Sequence, residues 1–277
     1  MAVVWIDGYL HEADDAGIPV SDHGLVCGDG AFETLVVVDG KAFAVTRHLS
    51  RLGRTARGMG LPEPDVEMLR KGIDALVIRN GLENAKIRIT YTAGTAGLGS
   101  HRPTELQPRA VIATEPISLE PAMTTLALAP WPRNERGVLA GLKTTSYAEN
   151  VIALAWARGQ GADEVLFANT LGNLCEGSGS NVFLVRDGAI LTPPLSAGCL
   201  AGVTRDLVLE GVDAREVDIP LDMLADPLVT EMFVTSTLRM VQGVALLDQR
   251  HFDDAPGPIT VKAQRYFADL MLEQLDP

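Results

Sequence analysis

GVLAGLKTTSYAENV, residues 137–151, sets a lysine behind a small apolar run and ahead of two threonines. The chain carries 18 arginines but five lysines, so lysine is its rarer choice for a surface charge. Burial disfavours the charged form of an amine and lowers its pKa, which makes it nucleophilic toward a carbonyl. Lys41 follows a turn, Lys71 adjoins Arg70 on a polar helix face, Lys86 opens a strand and Lys262 lies in an amphipathic helix. Lys143 is therefore the candidate Schiff-base lysine. The plainer alternative is a partly exposed structural lysine.

Other stretches carry matching chemistry. LCEGSGSNVFLV sets Glu176 between apolar strand residues and a small polar turn. A carboxylate there needs a partner, either a salt bridge or turn cap, or a protonated ring nitrogen. GCLAGVTRDLVLEG places Gly202, Val203 and Thr204 at a helix start. Free N–H groups and a hydroxyl there suit a phosphate, with a plain N-cap by Thr204 as the alternative. FVTSTLRM ends a strand in Thr235, Ser236 and Thr237, hydroxyls for a phosphate or for strand-end capping. Arg51, in RHLSRL, is either a bidentate phosphate partner or a solvated helix arginine. An aldehyde-trapping lysine, a carboxylate for a pyridinium and several phosphate donors together describe one cofactor, pyridoxal phosphate.

The bulk numbers agree with a globular enzyme. The 277 residues suffice for one large or two modest domains, and 47% hydrophobic with 21% charged residues argues against disorder. A formal charge of −13 argues against nucleic acid and anionic membrane surfaces as partners. No stretch is long enough to span a bilayer, and MAVVWIDGYLHEADD lacks a basic leader and a long apolar segment. Cys27, Cys175 and Cys199 are isolated and odd in number, and read as reduced, partly buried thiols of a cytoplasmic protein. The five histidines have no metal-ligand spacing, so no metal is expected. TAGTAGLGSHRP lacks the Lys-Ser/Thr ending of a phosphate-binding loop and reads as a mobile surface loop.

Along the first third, Asp7-Gly8 and Asp39-Gly40 punctuate apolar runs as hairpin turns. Thr46 is the expected N-cap of a helix that ends near Gly58 or Gly60, and a second helix follows Pro64 and stops at Gly81. AKIRITYTAG alternates as a half-exposed strand, and RAVIATEPI is a more buried one. EPISLEPAM looks like an interdomain linker. The expectation is a two-domain α+β or α/β chain: a small domain over 1–115, a linker over 116–123 and a larger domain over 124–277. In the latter, strands at TTLALAP, DEVLFAN, NVFLVRDGAILTP and LVTEMFVTST mix with helices at SYAENVIALAWARGQG, VTRDLVLEG and ITVKAQRYFADLMLEQL.

The motifs SDHGLVCGDGAFET, RHLSRL, GLKTTSYAENV, CEGSGSNVFLV, LAGVTRD and TST, in that order, resemble the class IV, fold type IV pyridoxal-phosphate enzymes over almost the whole chain. That family holds branched-chain aminotransferases, D-amino-acid transaminases, R-selective amine transaminases and aminodeoxychorismate lyases. The resemblance implies a small N-terminal and a larger C-terminal domain with the cofactor between them. It implies that Lys143 binds the cofactor as a Schiff base and then shuttles the substrate proton. Glu176 would keep the pyridine nitrogen protonated, and Leu200 would pack on the ring face. Arg51, Thr204 and Thr237, with the Gly202 and Val203 backbone and Ser236, would hold the phosphate. Tyr147 would approach the phenolic oxygen, its alternative being a helix residue packed in the core. Homodimers are typical of the family, with active sites near the subunit interface, and GTAGLGSHRP would be the loop closing the partner's site.

Substrate residues are read from Phe32, Thr34, Arg88, Leu98 and Arg239. Lys86, Arg88 and Thr90 share one strand face, so Arg88 is either a clamp for a substrate carboxylate or an exposed strand arginine. The arginine that branched-chain enzymes carry after the FEG motif is Val36 here. The Arg-x-His clamp of D-amino-acid transaminases is replaced by Leu98 and Ser100, leaving Arg102, Arg133, Arg136 or Arg239 as substitutes. The expected reaction is transamination between a 2-amino acid (D, or branched and hydrophobic) or an R-amine and a 2-oxo acid. The alternative is the lyase, which expels pyruvate from aminodeoxychorismate and leaves 4-aminobenzoate.

Overall fold

The computed structural model describes residues 2–118 and 123–277. The chain packs as two compact units, one of Met1–Ser118, Leu142–Tyr147 and Gln274–Pro277, the other of Leu119–Gly141 and Ala148–Glu273. Two short segments thus join the first unit from far along the sequence, and one of them carries Lys143.

In the first unit, β1 (Val3–Ile6) and β2 (Tyr9–Glu12) form a hairpin. Asp7 and Gly8 at its corner have φ of 48° and 101°, the left-handed pair that a two-residue turn needs. The single turn α1 (His23–Val26), capped by the Asp22 carboxylate, leads into β3 (Gly30–Val38), and Asp39-Gly40 turns it into β4 (Lys41–Ala42). Helices α2 (Val45–Gly58) and α3 (Val66–Asn80) follow, then β5 (Ala85–Thr92) and β6 (Arg109–Pro116). The sheet runs β2-β1-β6-β5-β3-β4 with antiparallel neighbours. Leu35, Val37, Leu49, Leu52, Ile73 and Ile87 form the centre of its core, with α2 and α3 against the sheet.

Several expectations are corrected here. Thr46 does not cap α2: the N-cap is Ala44, left-handed at φ 53° and without a side-chain cap. The cap comes from the C-terminus, where Asp276 Oδ1 accepts the Thr46 N–H at 2.8 Å and Oδ2 its hydroxyl at 2.6 Å. A cap from residues so remote leaves no local sequence signal. Glu115 and Pro116 belong to β6 rather than to a linker, with Glu115 ion-paired to Lys86; residues 119–122 of that linker lie outside the described residues. The glycine-rich loop is tied down: Thr95 bridges to Asp22, Gly97 O accepts from His23 Nε2 at 2.9 Å, and Arg102 pairs with Asp29. Cys27 is exposed rather than partly buried.

The second unit holds β7 (Met123–Leu128), α4 (Ala148–Gly159), β8 (Glu164–Ala168), β9 (Leu174–Gly177), β10 (Asn181–Arg186) and β11 (Ala189–Thr192). It continues through α5 (Val203–Gly211), β12 (Ala214–Glu216), β13 (Val229–Ser236), β14 (Met240–Leu247), β15 (Arg250–His251) and α6 (Pro258–Glu273). The sheet order is β12-β11-β10-β13-β14-β7-β8-β9, with β15 paired to β14. Its β14-β7, β7-β8 and β11-β12 neighbours are parallel. Val182, Phe183, Leu184 and Val185 on β10 are all fully buried, so both faces of the strand lie away from solvent and NVFLV is a continuous apolar run rather than an alternating one. Among the described residues no helix is long and apolar enough to cross a membrane.

Candidate active site

Lys143 sits on the start of β3. Ala31 and Thr144 form an antiparallel bridge, Phe32 N–H donates to Lys143 O at 2.9 Å, and Lys143 N–H donates to Thr55 Oγ1 at 3.4 Å. The main chain is thereby fastened to a strand and to α2, while the side chain is half-buried. Its Nζ lies 4.3 Å from the centroid of the Phe32 ring. Tyr147, just ahead of α4 rather than inside it, meets the same ring edge-on at 5.2 Å.

Alternation along β3 explains the rest of this cluster. Phe32 and Thr34 project to one face, and Arg88 pairs across from Thr34 on β5. The Arg88 guanidinium carbon lies 3.4 Å from the Phe32 ring centroid. Burial lowers the Arg88 pKa against the opposing influence of Tyr147 and Glu33. Lysine amine, guanidinium and tyrosine therefore gather around one aromatic ring.

The opposite face of β3 carries Ala31, Leu35 and Val37 into the core, and Glu33 lies in that row with no exposure. It is matched by a stripe on α2, His48, Arg51 and Thr55, spaced at helical intervals. Arg51 Nε and Nη2 donate to Glu33 Oε1 and Oε2 at 2.7 and 2.8 Å, and His48 Nδ1 lies 2.7 Å from Oε2. Burial alone would raise the Glu33 pKa, but the Arg51 charge and the hydrogen bonds from Arg51 and His48 hold it well below the usual carboxylate range. An ionised Glu33 accepts, so His48 Nδ1 carries the proton. Burial lowers the His48 pKa and keeps it neutral, with Arg51 and Lys143 adding repulsion against the bond to Glu33. Sequence reading gave Arg51 a role but assigned no contact to Glu33 or His48; the available signal was an acidic residue in the apolar row of an alternating strand.

The other arginines considered for a substrate carboxylate are engaged elsewhere. Arg102 donates to Asp29 and to Met59 O. Arg133 pairs with Glu176, and the exposed Arg136 lies 3.5 Å from Glu135. Arg239 reaches Gln242 Oε1 at 2.5 Å, Thr124 Oγ1 at 3.3 Å and Glu164 Oε2 at 3.8 Å. Leu98 is exposed at the tip of its loop.

In the second unit Glu176 is buried on β9. Its Oε2 accepts the Leu200 N–H at 2.8 Å, and Arg133 Nη1 lies 3.4 Å from Oε1. Arg133 is itself fixed by Asn150 Oδ1 at 2.9 Å and by the Phe167 ring, 4.3 Å from its guanidinium. Glu176 thus carries an ion pair to Arg133 and a hydrogen bond from the Leu200 backbone. Leu200 O accepts from Asn181 Nδ2 at 2.9 Å, which carries the loop to Gly202. Gly202 is the N-cap of α5 at φ −72° and offers no side-chain cap, so Thr204 does not cap the helix. Val203 and Thr204 are buried in its first turn. Ser236 Oγ accepts the Arg239 N–H at 3.1 Å, the strand-end cap, and Thr237 follows half-buried.

These residues fit pyridoxal phosphate. The uncapped start of α5 presents N–H groups, a buried hydroxyl and a positive helix terminus, the donor set of a phosphate. A Cβ on Gly202 would collide with Asn181 Oδ1, so the approach to that terminus is built around a missing side chain. Glu176 is a fixed acceptor for a ring N–H, and Lys143 is a half-buried amine on a rigid mount. The two buried thiols are not competing nucleophiles, since burial raises the pKa of Cys175 and pushes that of Cys199 up to about 12.

Residues 30–247 match the family described as amino-transferase class IV. Among curated proteins, a putative branched-chain-amino-acid aminotransferase of Methanocaldococcus jannaschii is 29% identical over 96% of both chains. A bifunctional aminodeoxychorismate lyase / D-amino acid transaminase of Mycobacterium tuberculosis is also 29% identical, over 97% of both. Among solved structures, the Escherichia coli branched-chain amino acid aminotransferase superposes with a TM-score of 0.92 at 25% identity, covering 97% of this chain and 94% of that one.

Proposed function

The chain belongs to the class IV aminotransferase family, and from that premise we propose how its residues divide the work of a transaminase. It is an enzyme of this family and its cofactor is pyridoxal phosphate. When bound, the cofactor supplies an aldehyde that captures amines and a ring that draws electrons from the substrate Cα–H bond. Lys143 Nζ anchors it and carries the Cα proton as general base and acid. Glu176 would hold the proton of the ring nitrogen, Leu200 would pack against the ring and Tyr147 would approach its phenolic oxygen. Arg51, the first-turn N–H groups after Gly202, and the hydroxyls of Thr204, Thr237 and Ser236 hold the phosphate.

The amino donor is a 2-amino acid, and Arg88 binds its carboxylate, with Phe32 and Thr34 shaping the same wall. One observation carries this assignment: Arg88 and Lys143 flank the same Phe32 ring, at 3.4 and 4.3 Å from its centroid. The test uses donors with and without a carboxylate. Charge-assisted bonds to the carboxylate predict that Arg88→Ala raises KM for D-alanine or L-leucine about 10-fold or more. R-phenylethylamine, which has no carboxylate, should be turned over by the variant as by the parent. Equal losses for both donors would remove Arg88 from the substrate site.

The relative from M. tuberculosis favours a second reading, loss of a Cβ leaving group after the same proton abstraction. Pyruvate release from aminodeoxychorismate without an amino acceptor would establish it. A donor-driven conversion of the bound cofactor to its aminated form, with no such release, would establish the transaminase alone. The enzyme is read as a cytoplasmic homodimer; the exposed Val151 and Ile152 on α4 support a self-association surface. A monomer mass in sedimentation would count against it.

A further inference from the structure

The buried Glu33 is costly for stability alone. A carboxylate in a row with Ala31, Leu35 and Val37 loses its hydration, and pairing with Arg51 seldom returns more than an apolar side chain of that size would. The geometry points to a different use. Arg51 is paired side-on, through Nε and Nη2 to the two oxygens of Glu33, which fixes the plane of the guanidinium and the direction of Nη1. His48, one helical turn before Arg51, closes on Oε2 at 2.7 Å and fixes the carboxylate in turn. Thr55, one turn further along the same stripe, accepts the Lys143 N–H. The arginine and the lysine mount are therefore aligned by the same helix face and the same strand.

We propose that Glu33 and His48 are positioning residues for cofactor binding: they hold the Arg51 guanidinium in the orientation that receives the phosphate. This rests on the reading of Arg51 as a phosphate ligand. It goes further by making two residues that need not touch the cofactor set its affinity. The effect is specific to the phosphate, because Lys143 is held by backbone bonds to Phe32 and Thr55 that neither residue makes.

The test is equilibrium binding to the apo protein of two probes, pyridoxal phosphate and pyridoxal, which lacks the phosphate. Glu33→Gln removes the charge but keeps the shape, and should weaken pyridoxal phosphate about 10-fold or more while leaving pyridoxal within about 2-fold. His48→Leu should act in the same sense, and His48→Asn, which places an amide N–H near the position of Nδ1–H, should restore most of the affinity. In an Arg51→Ala background, Glu33→Gln should add no further loss of pyridoxal phosphate. Should Glu33→Gln fail to fold, the two His48 variants carry the same comparison with the Glu33–Arg51 pair intact. Equal weakening of both probes by Glu33→Gln and His48→Leu, or undiminished losses without Arg51, would overturn the proposal. If Arg51→Ala itself weakens both probes equally, Arg51 is not a phosphate ligand and the underlying reading fails first.

Discussion

Gly202→Ala isolates the approach to the α5 terminus, because the backbone there is ordinary. At φ −72° any residue is tolerated, so the cost is purely steric. The added methyl would fall inside the contact radius of Asn181 Oδ1 and 3.3 Å from Arg205 Cβ. Asn181 is buried and anchored, its Nδ2 donating to Leu200 O at 2.9 Å, so it cannot swing aside without breaking that bond. Overpacking of this kind costs about 1–3 kcal/mol, and the lost hydrogen bond adds about 1 kcal/mol. A total near 2–4 kcal/mol corresponds to a fall in Tm of roughly 4–16 °C. Leu200 also orients Glu176, so the affinity for pyridoxal phosphate should drop with the stability. Calorimetry and equilibrium cofactor binding measure the two losses. The decisive comparison is the double variant Gly202→Ala/Asn181→Ala: shortening residue 181 removes the obstructing oxygen, so the two costs should not add. Full additivity, or an unchanged Tm in Gly202→Ala, would refute the steric reasoning.

The remaining predictions address other parts of the molecule. Asp276→Ala removes the acceptor for the Thr46 N–H and hydroxyl and should destabilise the protein by about 1 kcal/mol, read from denaturant unfolding; no change would mean that α2 is capped by solvent. Lys143→Ala should abolish the visible absorbance of lysine-linked cofactor and slow transamination by at least about 100-fold. Residual activity near the parent would move the chemistry to another amine. Stability should fall on acidification in two stages. His48 has a lowered pKa in the fold, so the unfolded chain takes up a proton below about 6.5 that the folded chain refuses. Stability then drops by up to about 1.4 kcal/mol per pH unit as the pH falls through that range. Glu33, also lowered, contributes fully above about 4.3 and loses its contribution in stronger acid. His48→Asn should flatten the first stage; a Tm–pH slope identical to the parent would assign it to other groups.

What could be read beforehand was what is written locally. The Asp-Gly hairpin corners, the start of α3 after Pro64 and its stop at Gly81, and the alternation that turns Arg88 to one side of β5 are each fixed by residues within a few positions of one another. Lys143 and Glu176 stood out because their charge conflicted with their apolar surroundings. The misses share one cause, a partner remote in sequence. Asp276 caps a helix that begins at Val45, Arg102 ties the glycine-rich loop to Asp29, and Leu200 orients Glu176 through a backbone N–H that no residue type encodes. Glu33 was visible as an acid in an apolar row, but its two partners lie on a helix whose rotation about its axis the sequence does not set.

The paired charges change how mutagenesis of this site has to be interpreted. Three buried glutamates are matched by arginines: Glu33 by Arg51 in the first unit, Glu176 by Arg133 and Glu164 by Arg239 in the second. Removing one member of such a pair leaves the other charge buried with only its neutral hydrogen-bond partners, which costs more than the pair contributes. Arg51→Ala therefore combines two losses, the proposed phosphate ligand and the neutralisation of Glu33, and its effect on activity alone overstates the first. The same holds for Arg133→Ala, which would leave Glu176 its hydrogen bond from the Leu200 N–H but remove the guanidinium charge, so a change at the carboxylate and a weaker fold enter the same measurement. Because both effects enter one turnover number, a modest change for Arg133→Ala would not mean that Arg133 is idle. The pairs have to be dissected with both partners varied together and with cofactor affinity measured apart from stability.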